Sequence, residues 1–209
     1  MKYANIKRND VANGPGIRVS LFASGCQHAC PGCFNAEAWD FNFGQEFTQE
    51  TIDSIIASLQ REEVTGLTLL GGEPLAPANQ EQIRNLIRQV RIAAPDKTIR
   101  CYSGFVYEFI SKYMEPRLPY TTKIMENIDV LVDGRFEEKL LSLMLRFRGS
   151  SNQRVIDIPT TRARGEITWA FDEKEMMKYT DMPLLTPEDV AAVQKHSEHI
   201  VNLYLKQNS

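Results

Sequence analysis

Cys26, Cys30 and Cys33 place three thiols within eight residues, spaced so that one loop can bring all of them to a single metal centre. Thiolates are soft ligands that select zinc, copper(I) and iron–sulfur clusters. A cubane cluster ordinarily takes four cysteines, and the chain's other cysteine, Cys101, is remote in sequence. The spacing therefore points to a [4Fe-4S] cluster held by three residues, with one iron open to bind a further molecule. Structural zinc is the rival reading. Zinc sites usually draw four ligands from two separated pairs, so His28 would have to complete a cramped set. Disulfides fit less well, because pairing two of three clustered thiols leaves an odd one.

Around this loop the chain alternates strands and helices. Ile17–Phe22 is β-prone and follows Asn13-Gly14-Pro15-Gly16, where proline then glycine suits a type II turn. Thr48 caps a helix with Ile52, Ile55, Ile56 and Leu59 on one face. Leu67–Leu70, Thr98–Tyr102 and Ile128–Val132 read as strands, ended by Gly71-Gly72-Glu73-Pro74, Ser103-Gly104 and Asp133-Gly134. Asn79–Ala94 and Phe105–Tyr113 read as helices, and Val155–Ile158 as a fifth strand. Such repetition favours a parallel sheet with crossover helices, whose active site lies in loops after the strands' carboxyl ends. With so few units, a barrel would be partial and open. From Pro159 to Asp181 the chain is polar and irregular; Thr186-Pro187-Glu188-Asp189 then opens a helix carrying Val190, Val193, Ile200, Val201 and Tyr204.

The 209 residues, 43% hydrophobic and 24% charged, suit one soluble domain of ordinary size. A net charge of -3 offers no basic footprint for nucleic acid or an anionic membrane. No apolar run approaches the roughly 20 residues of a membrane span, and polar Met1–Asn13 lacks a signal peptide's apolar core. The expected location is a reducing cytoplasm.

The motif Cys26-x3-Cys30-x2-Cys33 resembles that of radical S-adenosylmethionine enzymes. The fuller stretch through His28, Gly32, Phe34 and Asn35 to Trp39 is similar to the activating enzymes of glycyl radical enzymes, most of all the activase of anaerobic ribonucleoside-triphosphate reductase. Asn13-Gly14-Pro15-Gly16-x-Arg18 resembles that family's opening. Gly71–Pro74, Val132-Asp133-Gly134 and Arg148–Gln153 resemble its later motifs in order, so the likeness covers residues 3–157. Gly32 stands where many radical S-adenosylmethionine enzymes have an aromatic residue, and Phe34 follows instead, as is typical of this subfamily.

The resemblance implies an α/β fold, an open, partial parallel β/α barrel over residues 1–158 with a helical C-terminal extension over 159–209. It implies that Cys26, Cys30 and Cys33 hold the cluster and are the catalytic residues. Its open iron would chelate the amino and carboxylate groups of S-adenosylmethionine. Gly32, Cys33, Phe34, Gly71, Gly72, Glu73, Pro74 and Asp133 are the expected cofactor contacts. Glycine at positions 71 and 72 would let backbone approach the cofactor, Glu73 or a neighbouring carbonyl would accept from its ammonium group, and Pro74 would fix the loop's exit. One electron would cleave the sulfonium, and the 5′-deoxyadenosyl radical would take an α-hydrogen from a glycine of the reductase large subunit. Each ~59 mV is tenfold in a one-electron equilibrium. Only the low end of the cluster range, about −700 to +450 mV, suits a sulfonium, which implies a flavodoxin- or ferredoxin-type donor.

Alternatives are an activase of another glycyl radical enzyme of the pyruvate formate-lyase type, an enzyme like 7-carboxy-7-deazaguanine synthase, and a non-enzymatic iron–sulfur protein. Several residues have plainer readings. Cys101 is a small core hydrophobe and Trp39 packs under the cysteine loop. Asp133 is either a turn acid or a contact to cofactor or cation. Arg148, Ser150, Asn152 and Gln153 either cap the site or shape a partner surface. Arg18 has a polar role or lies at the surface, and His196 and His199 are solvated.

Overall fold

The computed structural model describes residues 1–170 and 187–208. Its centre is one mixed seven-stranded sheet in the order β3-β1-β2-β4-β5-β6-β7. The strands are β1 (Lys2–Asp10), β2 (Ile17–Ala23), β3 (Gln45–Glu46), β4 (Val64–Gly71), β5 (Thr98–Ser103), β6 (Val130–Asp133) and β7 (Arg154–Asp157). Strands β2, β4, β5 and β6 pair in parallel. The flanks do not: β1 runs antiparallel to both β2 and β3, and β7 runs antiparallel to β6. The parallel expectation thus holds for the centre and fails at the edges. β7 reaches β6 through the loop after Asp133, with no crossover helix between them, and such a direct return reverses direction.

Register sorts the side chains onto two faces. Ile6, Leu21, Leu69, Cys101, Leu131 and Ile156 align in one row across the sheet. From Leu21 onward this row is fully buried in the main hydrophobic cluster. Helices α1 (Gln49–Leu59) and α2 (Gln80–Ala93) supply that cluster with Ile52, Ile55, Leu59, Ile83, Leu86, Ile87 and Val90. Thr48 caps α1 as expected, in a reciprocal box with Thr51. The adjacent row, Lys7, Ser20, Thr68 and Arg100, is polar and belongs to the other face. A sheet with one oily and one polar face leaves room for a site on the latter.

The expected helix over 105–113 is a short α3 (Tyr107–Phe109) that widens into a π-turn over Ile110–Met114, where the Glu115 N–H reaches the Ile110 carbonyl. A further short helix, α4, spans Thr121–Met125. The chain after Pro159 is more ordered than expected. Asp157 caps α5 (Ile158–Arg164) by accepting from the Thr160 N–H, and Gly165 ends it at φ 74°. Residues 171–181 of the expected irregular stretch, and the Thr186 cap, lie outside the described residues. The terminal helix α6 (Pro187–Gln207) buries Ile200 and Val201 in the same cluster as the sheet, and Asn202 accepts from the Tyr113 hydroxyl at 2.9 Å. No helix among the described residues is long and apolar enough to cross a membrane.

Candidate active site

Because β2, β4, β5 and β6 are parallel, their carboxyl ends share one edge, and four loops emerge there together. These are the cysteine loop after Ala23, the Gly71–Pro74 loop, Ser103-Gly104 and Asp133-Gly134. They bound a cavity of about 730 Å³ whose wall includes Cys26, Cys30, Cys33, Gly71, Gly72 and Glu73. Phe34, Trp39, Tyr102, Gly134, Arg148 and Gln153 also line it.

The cysteine loop is built on backbone contacts. Gly25 and Cys26 donate to the carbonyls of Ala38 and Trp39 at 2.8 and 3.0 Å, which closes the loop. Cys33 N–H returns to the Cys30 carbonyl at 3.1 Å. Ala29 and Gly32 adopt positive φ, 46° and 69°, to bend the chain between the thiols. All four cysteines of the chain are free. The Asn35 N–H approaches Cys33 Sγ at 3.5 Å, a hydrogen bond of the kind that tunes a ligand sulfur. Burial, reinforced by Glu73, pushes the Cys26 thiol up to about 12. Its thiolate therefore needs a positive metal centre to form. No three His, Cys, Asp or Glu side chains among the described residues gather about a single ion-sized point, and the thiols line a wall instead. Three soft donors facing one cavity fit a cluster with an open iron.

The neighbouring loop is clamped by one carboxylate. Glu73 is 2% exposed. Its Oε1 accepts from Leu75 N–H at 2.8 Å, and its Oε2 accepts from Gly104 N–H at 2.7 Å. Oε2 also pairs with His28 Nε2 at 3.0 Å. Glu73 thus joins three of the four loops, and its carboxylate is committed to protein donors. The two preceding glycines also meet protein. A Cβ at Gly71 would lie 2.6 Å from the Phe22 backbone, and one at Gly72 would lie 2.7 Å from the carbonyl oxygens of Gly25 and Ala38. Their first requirement is loop-against-loop packing. Asn79 completes the clamp by donating to the Ser24 and Glu73 carbonyls at 2.9 and 3.0 Å.

Not every expected contact reaches the cavity. Pro74 is buried behind the wall. Gly32 is exposed and faces Glu138. Asp133 is fully buried and engaged elsewhere, accepting from Arg154 Nε at 2.9 Å and Tyr107 N–H at 2.7 Å. Burial works against the charge on Arg154, but hydrogen bonds to Glu108 and Asp133 override it and push its pKa up.

The Arg148–Gln153 segment folds on itself. Gln153 Oε1 accepts from the Gly149 and Ser150 N–H groups, and its Nε2 donates to the Gly134 carbonyl at 3.0 Å. Arg18, 1% exposed, is neither at the surface nor on the cavity wall. It donates to Thr68 Oγ1, Thr98 Oγ1 and the carbonyls of Leu67 and Thr98. Burial and the Arg100 charge pull its pKa down to about 10. Cys101 is core, as expected.

Two residues escaped sequence reasoning. His28 is buried among Glu73, Phe105 and Gly104, and a Cβ at Gly104 would sit 2.4 Å from its ring. His196, expected in solvent, is partly buried, its ring centroid 6.0 Å from that of His28. Its position in a C-x-H-x-C run marked His28 as a loop residue of the family motif and a rival zinc ligand, and nothing in the sequence linked it to residue 73 or 196.

A family profile described as a 4Fe-4S single cluster domain matches residues 12–156. Three relatives carry the name anaerobic ribonucleoside-triphosphate reductase-activating protein. That of Enterobacteria phage T4 is 39% identical over 155 residues, covering 74% of this chain and 93% of the relative. That of Vibrio cholerae is 40% identical over 155 residues, covering 73% and 96%. That of Escherichia coli K12 is 38% identical over 157 residues, covering 74% and 97%. The chain belongs to this family. The resemblance read from the motifs is borne out, and the cluster-domain match supports an iron–sulfur centre. The profile ends at residue 156, so α5 and α6 lie beyond it. About a quarter of the chain has no counterpart in these alignments.

Proposed function

We propose that this chain is the activating enzyme of an anaerobic ribonucleoside-triphosphate reductase. A [4Fe-4S] cluster on Cys26, Cys30 and Cys33 would supply the electron that cleaves S-adenosylmethionine reductively, giving the radical that removes an α-hydrogen from a glycine of the reductase. The observation that carries this reading is the meeting of three free thiols and the Gly71–Glu73 loop on one cavity at the carboxyl edge of the parallel strands. The chain's own contribution is positioning. The backbone ties at Gly25 and Cys26 hold the thiols on the wall. With the Glu73 carboxylate occupied, the backbone carbonyls of Gly71 and Gly72 are the natural partners for the ammonium group of S-adenosylmethionine. Phe34, 76% exposed, stands at the rim, where a partner's glycine loop would enter. Residues 1–158, curved as an open partial barrel, would carry the chemistry, with 159–209 as an extension. The electron donor would be a flavodoxin or ferredoxin, in a reducing cytoplasm.

The test is anaerobic reconstitution with iron and sulfide, followed by reduction in the presence of S-adenosylmethionine. Methionine and 5′-deoxyadenosine should form, and a glycyl-radical EPR doublet should appear on the reductase but not on pyruvate formate-lyase. Serine at Cys26, Cys30 or Cys33 should abolish both, while Cys101→Ser keeps the cluster. Intact cluster without cleavage products would rule out the radical chemistry, and iron loss on Cys101→Ser would rule out the open iron.

A further inference from the structure

Two buried imidazole nitrogens beside the cysteine loop have no hydrogen-bond partner among the described residues: Nδ1 of His28 and Nε2 of His196. A buried polar atom left unpaired costs about 1–3 kcal/mol, and native structures rarely leave one without a bound water or ion. Here two occur on imidazoles whose centroids are 6.0 Å apart and whose planes are tilted by 36°. That separation suits a shared small molecule between the rings.

Hydrogen-bond bookkeeping sets the roles. Glu73 already accepts from two backbone N–H groups, so the His28 Nε2–H donates to it as well. Nδ1 is then the ring's acceptor and looks for a donor. A metal ion is the poorer occupant. The Arg135 guanidinium donates to the His28 carbonyl at 2.8 Å; burial first, and then the Arg135 charge, pull the His196 pKa down. A cation would face that charge with only two nitrogen ligands, whereas a water needs no charge and bridges such gaps readily.

We propose that His196 donates through one bridging water to His28 Nδ1, making α6 a brace for the cysteine loop. The relay runs from α6 through His196, water and His28 to Glu73, which ties the loops after β2, β4 and β5. α6 is held for this task by Ile200 and Val201 in the core and by the Tyr113–Asn202 bond. His196 is accordingly a positioning residue, and a helix beyond the matched cluster domain serves the cluster-holding loop. That last step rests on the reading that the loop holds a cluster.

The test compares full-length wild type, His196→Ala and His196→Gln. Hydrogen–deuterium exchange of the cysteine loop, which needs no cluster, should quicken several-fold in the alanine variant. Glutamine, which offers an amide N–H, should restore slow exchange. Exchange unchanged by alanine, or quickened equally by both, overturns the brace. In reconstituted protein, a chelator should strip iron several-fold faster from the alanine variant than from wild type or the glutamine variant, and equal rates overturn the service to the cluster. Wild type that takes up no iron would sink the cluster reading, while the exchange comparison would still decide the brace.

Discussion

The two walls of the cavity are held by different chemistry. On the cysteine side one buried carboxylate, Glu73, gathers three loops and fixes His28. On the opposite side a neutral amide, Gln153, gathers the turn at residues 149–150 onto Gly134. Glu73 and His28 in the first wall are 2% and 3% exposed, whereas the segment leading into the second carries apolar side chains in water, Leu143 at 92% exposure and Met144 at 71%. Under the proposed function the difference separates two demands: a loop that holds a cofactor has to be rigid, and a rim that meets another protein has to present surface that water releases cheaply.

The largest break in that contrast should come from Glu73→Ala. It strands two buried backbone N–H groups and one imidazole, and urea unfolding under anaerobic conditions should show a loss of about 3 kcal/mol or more. Gln153→Ala should cost less, about 1–2 kcal/mol, because its hydrogen bonds are those of a neutral amide and bonds to a carboxylate are stronger. A smaller effect should appear with acid beneath the Gln153 wall. Burial alone would raise Glu108, but its hydrogen bonds to Arg154 outweigh that and hold it below the ordinary value of 4.5. A carboxyl lowered on folding adds stability above its unfolded value, and that stability fades as pH falls through the folded one. Denaturation midpoints should therefore drop below pH 4.5 by less in Glu108→Gln than in wild type. The smallest change should be Leu143→Ser, within about 0.5 kcal/mol of wild-type stability. If Leu143→Ser destabilised the fold as much as Gln153→Ala, the rim would be packed structure and the contrast would fail.

Much of the cysteine-side wall was legible in the residues. Three thiols in one loop, glycine pairs at strand ends and the Thr48 cap are local signals, and local signals survive in a single sequence. β1 was not legible, because Lys2–Asp10 lies toward the sheet's edge with little fully buried, so no alternation marks it. Edge strands rich in lysine and arginine read as loops for the same reason that they resist pairing with other chains. α5 had a readable start, Asp157 ahead of Pro159, of the kind recognised at Thr186-Pro187. Polar residues downstream obscured it. The Glu73 clamp and the His28–His196 approach were out of reach, since they join positions that only the finished topology brings together. The same is true of the reason for Gly71 and Gly72, which answers to neighbouring backbone rather than to a ligand.

His28 is 45 residues from Glu73 and 107 from Arg135. The thiols are therefore synthesised long before the Glu73 clamp and the Arg135 contact that fix their loop to the rest of the sheet. Until β4, β5 and the Arg135 turn have emerged, a nascent chain can hold that loop only by its local ties to Ala38 and Trp39. Under the proposed function, productive iron loading would then be a late event in biogenesis, timed by completion of the sheet.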